Sequence, residues 1–217
     1  MVDTAIRVGD TRCVSGDVEL LEAWQGGDRA AGKELFERYY ALLVRFFANK
    51  IGGDPMDLVQ ETFLGCVAGQ TRLRDRRNFR SFLFGIAYNQ LRKYYERQRA
   101  HQERVDPSSD SVADLAPGPS SLLTEGAEQK LLLDALRHIP IEHQVVLELF
   151  YWEDLNSAEI SEILQQPRGT IRTRLRRARQ LLEEAVTSLT RDPKLVESTN
   201  GDLEGWAAKI RATLPSK

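Results

Sequence analysis

The chain has little cysteine, histidine or tryptophan: two, three and three in 217 residues. Two cysteines, Cys13 and Cys66, exclude a disulfide-stapled scaffold, and three scattered histidines provide no metal-ligand spacing. Long apolar runs are also missing. The longest candidate, Phe82 to Tyr88, is seven residues and contains a glycine, against the roughly 18 needed to cross a bilayer. Met1 to Asp17 has no basic segment followed by an apolar stretch, so no signal peptide is expected, and the chain is predicted to be cytoplasmic without membrane insertion. Strand patterns are nearly absent. There is no Ser/His/Asp set, phosphate loop or metal cluster; His138 and His143, five apart around Pro140, read as surface or capping residues. The expectation is a protein that is not an enzyme and uses no cofactor. Net charge is small too, 30 Lys+Arg against 32 Asp+Glu or -2. As an average, that value argues against a nucleic-acid partner.

The distribution argues otherwise. Arg72 to Arg104 holds ten basic and three acidic residues, a net of +7, and Arg168 to Arg179 holds six arginines and no acid. The remainder must carry -15 for the total to be -2. Two basic segments on an acidic background are the footprint expected of phosphate-backbone binding. The bland alternative is a pair of solvated helix faces.

With 41% hydrophobic and 29% charged residues the chain should fold, and its length allows one large or two small domains. Apolar residues recur at helical spacing along most of it, so the predicted class is all-α. Leu35, Phe36, Tyr39, Leu42, Leu43, Phe46 and Phe47 define a helix from about Asp28 to Lys50, ended by Gly52-Gly53-Asp54-Pro55. A second, about Pro55 to Ala68, buries Leu58, Val59, Phe63 and Val67. A third, about Phe79 to Arg99, starts apolar and ends basic. Between Val105 and Gly126 the periodicity stops, and three prolines, two glycines and five serines predict a flexible linker. Fully extended at about 3.3 Å per residue, it would reach roughly 70 Å.

Beyond the linker, Leu131, Leu132, Leu133, Leu136 and Ile139 form one helix stopped by Pro140, and Val145, Val146, Leu149, Phe150 and Trp152 form another. Asn156 with Glu159 three residues on makes a capping box for a short helix burying Ile160, Ile163 and Leu164. A turn at residues 165–169 leads to a last helix, about Gly169 to Ser188. Short helix, tight turn and arginine-rich second helix describe a helix-turn-helix. Its outward residues, Arg168, Thr170, Arg172, Thr173, Arg176 and Arg177, suit base edges: arginine's fork matches guanine O6 and N7, and threonine can donate, accept or touch a thymine methyl. After Pro193, at most a short helix from Asp202 to Leu214 is expected.

Asn156-Ser-Ala-Glu-Ile-Ser-Glu-Ile-Leu followed by Pro167-Arg-Gly-Thr-Ile-Arg-Thr-Arg-Leu-Arg-Arg-Ala-Arg179 resembles region 4 of bacterial RNA polymerase sigma factors of the extracytoplasmic-function group. Asp57-Leu-Val-Gln-Glu-Thr-Phe-Leu64 resembles region 2.2, and Phe79-Arg-Ser-Phe-Leu-Phe-Gly-Ile-Ala-Tyr-Asn89 resembles regions 2.3 and 2.4. The likeness spans about Val18 to Leu189 and implies a disordered N-terminus (1–17), region 2 (18–104), a linker (105–127), region 4 (128–190) and a tail (191–217). It implies that Asp57, Gln60 and Glu61, on one face at i, i+3 and i+4, dock on the polymerase clamp. It also implies that the region 4 residues read the -35 element, and that Arg80, Tyr88, Asn89, Arg92 and Lys93 serve the -10 element, with Asn89 reading a flipped base. Opening a duplex needs aromatic surfaces for unstacked bases and cations along the backbone, and Phe79 to Arg99 contains both. Half of any amphipathic helix is buried, so Phe82 and Phe84 are expected in the core.

Where the family often has a Phe-Arg-Gly-like loop, Leu73-Arg74-Asp75-Arg76-Arg77-Asn78 stands here, implying a different -10 base. Asn156 replaces a common serine and still caps. The acidic linker suits a positively charged RNA channel. Core RNA polymerase, promoter DNA and an anti-sigma factor are the implied partners. A stand-alone helix-turn-helix regulator is the rival reading; it leaves the Asp57, Gln60 and Glu61 face unexplained.

Overall fold

The computed structural model describes residues 11–70, 73, 79–102, 127–194, 196 and 205. Among them are eight helices: α1 (Thr11–Gln25), α2 (Arg29–Ala48), α3 (Met56–Gly69), α4 (Phe79–Gln102), α5 (Ala127–Arg137), α6 (Ile141–Tyr151), α7 (Ser157–Leu164) and α8 (Arg168–Leu189). The expected linker lies outside the described residues except for Ala127, which opens α5. So do the loop residues 74–78 and, apart from Gly205, the expected helix in the tail.

Local chemistry sets the boundaries in the first half. The Asp28 carboxylate accepts the Ala30 and Ala31 N–H groups at 2.8 and 3.3 Å, satisfying two orphan donors of α2. At α3 the N-cap position is Pro55, and Asp54 one residue earlier accepts the Met56 N–H at 3.0 Å. The apolar stripe of α2 is buried as predicted: Leu35, Tyr39, Leu43, Phe46 and Phe47. Phe46 meets Phe84 of α4 edge-on at 5.5 Å, and Tyr39 meets Phe79 at 5.3 Å. Two glycines let α3 and α4 pack closely: a Cβ on Gly65 would lie 2.8 Å from Ile86 Cγ2, and one on Gly69 2.9 Å from Phe82 Cζ.

Two expectations change. The stretch expected to be disordered through Asp17 is helical from Thr11 onward. Asp17 is buried, accepts the Tyr39 hydroxyl and pairs with Arg38 at 3.2 Å, while Leu21 is fully buried. These contacts with α2 hold α1, and none of them is local in sequence. Val67, expected in the core, is 45% exposed, because Gly65, Cys66 and Gly69 supply the inward face of that turn.

In the second half the capping box forms in full: the Asn156 carboxamide oxygen accepts Ala158 N and Glu159 N, and the Glu159 carboxylate accepts Asn156 N at 2.7 Å. The chain leaves α7 through Gln165 in the left-handed region (φ 52°). Ser161 Oγ then donates to the Gln166 carbonyl, and Pro167 begins α8. This is the expected helix-turn-helix within an all-helical fold.

The halves are in contact. α4 packs against α7, and the end of α2 meets α5 and α6. Asn49 Nδ2 donates to the Leu133 carbonyl and Gln144 Nε2 to the Asn49 carbonyl, each at 3.3 Å. Three ion pairs cross the same seam: Arg45 with Glu153, Arg80 with Glu153 at 2.8 Å, and Lys50 with Glu148.

Candidate nucleic-acid and polymerase interfaces

The helix-turn-helix presents its reading face openly. Arg168, Thr170, Arg172, Thr173, Arg176 and Arg177 are all exposed, while Ile171, Leu175 and Ala178 are buried beneath them. Arg168, Arg172 and Arg176 recur every fourth residue and share one stripe. Like charges at that spacing cost an isolated helix about 0.2–0.5 kcal/mol per pair, so the stripe weakens α8 and suits an anionic partner. Arg174, Arg177 and Arg179 each have a partner within the chain. Arg174 pairs with Glu142 at 2.9 Å, Arg177 reaches Glu184 at 3.6 Å, and Arg179 donates to the Tyr151 hydroxyl at 2.8 Å. Thr173 donates its hydroxyl to the Gly169 carbonyl.

On α4 the candidate -10 residues divide. Asn89, Arg92 and Lys93 lie on an exposed face, with Arg92 reaching Glu96 at 3.4 Å. Arg80 and Tyr88 face the second half. Arg80 holds Glu153, and Tyr88 is half-buried; burial first, then the nearby Glu142 carboxylate, push its phenol above the ordinary value. Of the aromatics on α4, Phe84 is in the core as expected, and Phe79 and Tyr95 are buried there too, with Tyr95 donating to the Lys50 carbonyl at the end of α2. Phe82, expected in the core, is only partly buried, as is Tyr94.

On α3, Asp57 and Gln60 are exposed and Glu61 is partly so, with its carbonyl accepting from Gln90. Beside them Tyr40, Leu64 and Val67 expose 46, 60 and 45% of their surface. They border a shallow groove of about 320 Å³ lined also by Phe36, Met56 and Phe63, with Gln60 on its rim. Sequence reading found the polar face and missed this apolar neighbour, because Leu64 and Val67 fit the helical period equally well as core.

It also missed the charged seam. Arg45, Lys50, Glu148 and Glu153 are buried charges inside apolar stretches such as Val145-Val146-Leu147-Glu148-Leu149. A charge on an apolar stripe is the signal that could have marked them. Among the described residues no cluster of His, Cys, Asp or Glu is suited to a metal ion, and no helix is long and apolar enough to cross a membrane. Cys66 is buried, which raises its thiol to about 12.

A helix-turn-helix with an open arginine stripe defines the class: a DNA-binding protein. Comparison with known proteins is specific. Family models for Sigma-70 region 2 and Sigma-70 region 4 match residues 35–101 and 129–182. The chain is 27% identical over 189 residues to the ECF RNA polymerase sigma-E factor of Haemophilus influenzae, covering 80% of this chain and 96% of that one. Against the sigma-E factor of Escherichia coli the identity is 27% over 188 residues, covering 81% and 96%. Among solved structures the fold is similar to CnrH in complex with the cytosolic domain of CnrY, with a TM-score of 0.59 at 21% identity over 81% of this chain and 99% of that one. It is also similar to the sigma factor RpoE of Bartonella quintana, in complex with the anti-sigma factor NepR, with a TM-score of 0.54 at 22% identity over 71% and 95%. The chain belongs to the extracytoplasmic-function group of RNA polymerase sigma factors, which direct transcription initiation.

Proposed function

We propose that this sigma factor binds core RNA polymerase through the α3 face, places α8 on the -35 element and uses α4 to hold the opened -10 element. It acts in the cytoplasm and has no reaction chemistry of its own. The observation that carries the reading is the stripe of Arg168, Arg172 and Arg176 with Thr170 and Thr173, exposed at the start of the second helix of a helix-turn-helix. That is the part of the motif that enters a major groove.

Residues 18–104 form the polymerase- and -10-binding domain and residues 128–190 the -35-binding domain, with 105–127 as the connection. Asp57, Gln60 and Glu61 supply polar contacts to polymerase, and the apolar edge formed by Tyr40, Leu64 and Val67 supplies the hydrophobic centre that a stable interface needs. Asn89 reads an unstacked base from the open face of α4, while Arg92 and Lys93 follow the backbone. An anti-sigma factor is the expected regulator, consistent with the Bartonella relative having been solved with one.

The test is co-purification with core polymerase followed by run-off transcription from a candidate promoter. The expected result is a stoichiometric complex that starts transcripts at a defined site. Duplex binding without any association with core enzyme would instead favour a stand-alone regulator.

A further inference from the structure

The seam between the halves is charged where most buried seams are apolar. Glu153 is 3% exposed and holds two arginines at once: Oε1 takes Arg45 Nη2 from α2, and Oε2 takes Arg80 Nη2 from α4 at 2.8 Å. Glu148 binds Lys50 through Oε2 and Gln144 Nε2 through Oε1 at 2.9 Å. Lys50 is fully buried, and its ammonium also donates to the Phe46 carbonyl. In these three pairs the cations belong to the first half and the carboxylates to the second.

Stability does not account for this arrangement. Buried ion pairs seldom outperform apolar residues of similar volume, because desolvation offsets most of the Coulomb gain. They have a different advantage in an interface that opens: separated charges return to water, whereas separated apolar faces would aggregate. Two arginines from different helices each hold one carboxylate oxygen, an arrangement that would equally hold the two non-bridging oxygens of a phosphodiester. Arg45 Nη1 is buried and meets no acceptor among the described residues, so the site offers more donors than one carboxylate uses. Burial alone would raise the Glu153 carboxyl, but the charges and hydrogen bonds of Arg45 and Arg80 outweigh it and hold it below its ordinary value. Glu153 is therefore ionised at neutral pH.

We propose that Glu148 and Glu153 stand in for DNA phosphates on a three-cation site formed by Arg45, Lys50 and Arg80, so that the chain keeps these cations, and the Arg80 side of α4, closed to DNA until the halves part. Closure also lays α7 along α4 and half-buries Tyr88. The proposal rests on the reading of α4 as the helix that binds opened DNA. In the open state the three cations are free to bind phosphate on the side of α4 that closure covers.

The test uses the full chain without polymerase, with a labelled oligodeoxythymidine as probe and small-angle scattering for dimensions. Glu153→Gln should expand the molecule with helicity kept, and tighten oligonucleotide binding about tenfold, the gain expected when an open fraction of about one tenth becomes the whole population. Glu148→Gln should act in the same direction, and it decides between the outcomes if Glu153→Gln loses helicity. Glu183→Gln, the same charge change at an exposed position on α8, should do neither. Adding Arg45→Gln to Glu153→Gln should keep the expansion and remove much of the gain. Unchanged dimensions in both seam variants would overturn the closure. Expansion with no more binding than Glu183→Gln, or a gain indifferent to Arg45, would overturn the phosphate site. Run-off transcription with core enzyme reports separately on the initiation role: its failure alongside the expected scattering and binding would remove that role and leave the latch.

Discussion

The two basic helices share a run of cations and differ in its availability. α8 keeps its arginine stripe in solvent and buries only the small and branched residues beneath it. α4 is split: Asn89, Arg92 and Lys93 are open, while Arg80 and Tyr88 turn toward the other half. A run of positive charge therefore marks surface suited to phosphate, but the tertiary arrangement decides whether a given cation is free to bind one. On α8 the partner must be external. On α4 an internal carboxylate already holds one of the cations.

The largest expected effect separates the inner face of α4 from the outer face of α8. Phe84 is fully buried against Phe46, so Phe84→Ala should destabilise the fold by about 3–5 kcal/mol, measured by denaturant unfolding. Arg172→Ala, on an exposed face, should leave unfolding nearly unchanged and cost about 1–3 kcal/mol in binding a duplex that carries the -35 sequence, with altered base preference. Equal loss on specific and random duplex would reduce Arg172 to a phosphate clamp. The contrast between the helices would collapse if Phe84→Ala were tolerated.

The next effect lies within α4. Asn89→Ala removes an exposed polar group from the open face, so duplex binding should change little while promoter opening falls by about 1–2 kcal/mol, the scale of one lost base contact. Reactivity of unpaired thymines in the start region measures opening directly. Unchanged reactivity would count against a base-reading role for Asn89.

Much of this arrangement is legible in the sequence because it is local. The stripe of α2, the Asn156–Glu159 capping box and the outward set on α8 follow from periodicity and capping chemistry, and each lies within a few residues of its partners. What is not legible depends on distant pairs. α1 is held by Asp17 reaching Tyr39 and Arg38, and the exposure of Val67 depends on which side of α3 meets α4. The charged seam joins residues 73 to 108 positions apart, and no composition or periodicity places Arg45 opposite Glu153. The division of α4 follows from that seam, which is why a flexible two-part molecule is expected from periodicity and a closed one is found.

The smallest effect concerns the edge where α6 supports α8. His143 is partly buried, and its pKa lies below the ordinary 6.5 chiefly because burial disfavours the charged ring, with Arg174 and Arg177 adding repulsion and Glu142 opposing them. The unfolded chain therefore takes up this proton first as pH falls. The contribution of the neutral ring is present above the ordinary value and is lost as pH drops from about 6.5 through the lower folded value. Thermal unfolding across that window should show a small loss of stability toward acid that His143→Gln reduces. Arg172→Ala, remote from His143 on the exposed stripe, should leave the slope as it is. A slope that persists in His143→Gln would show that the acid sensitivity does not come from the edge beneath α8.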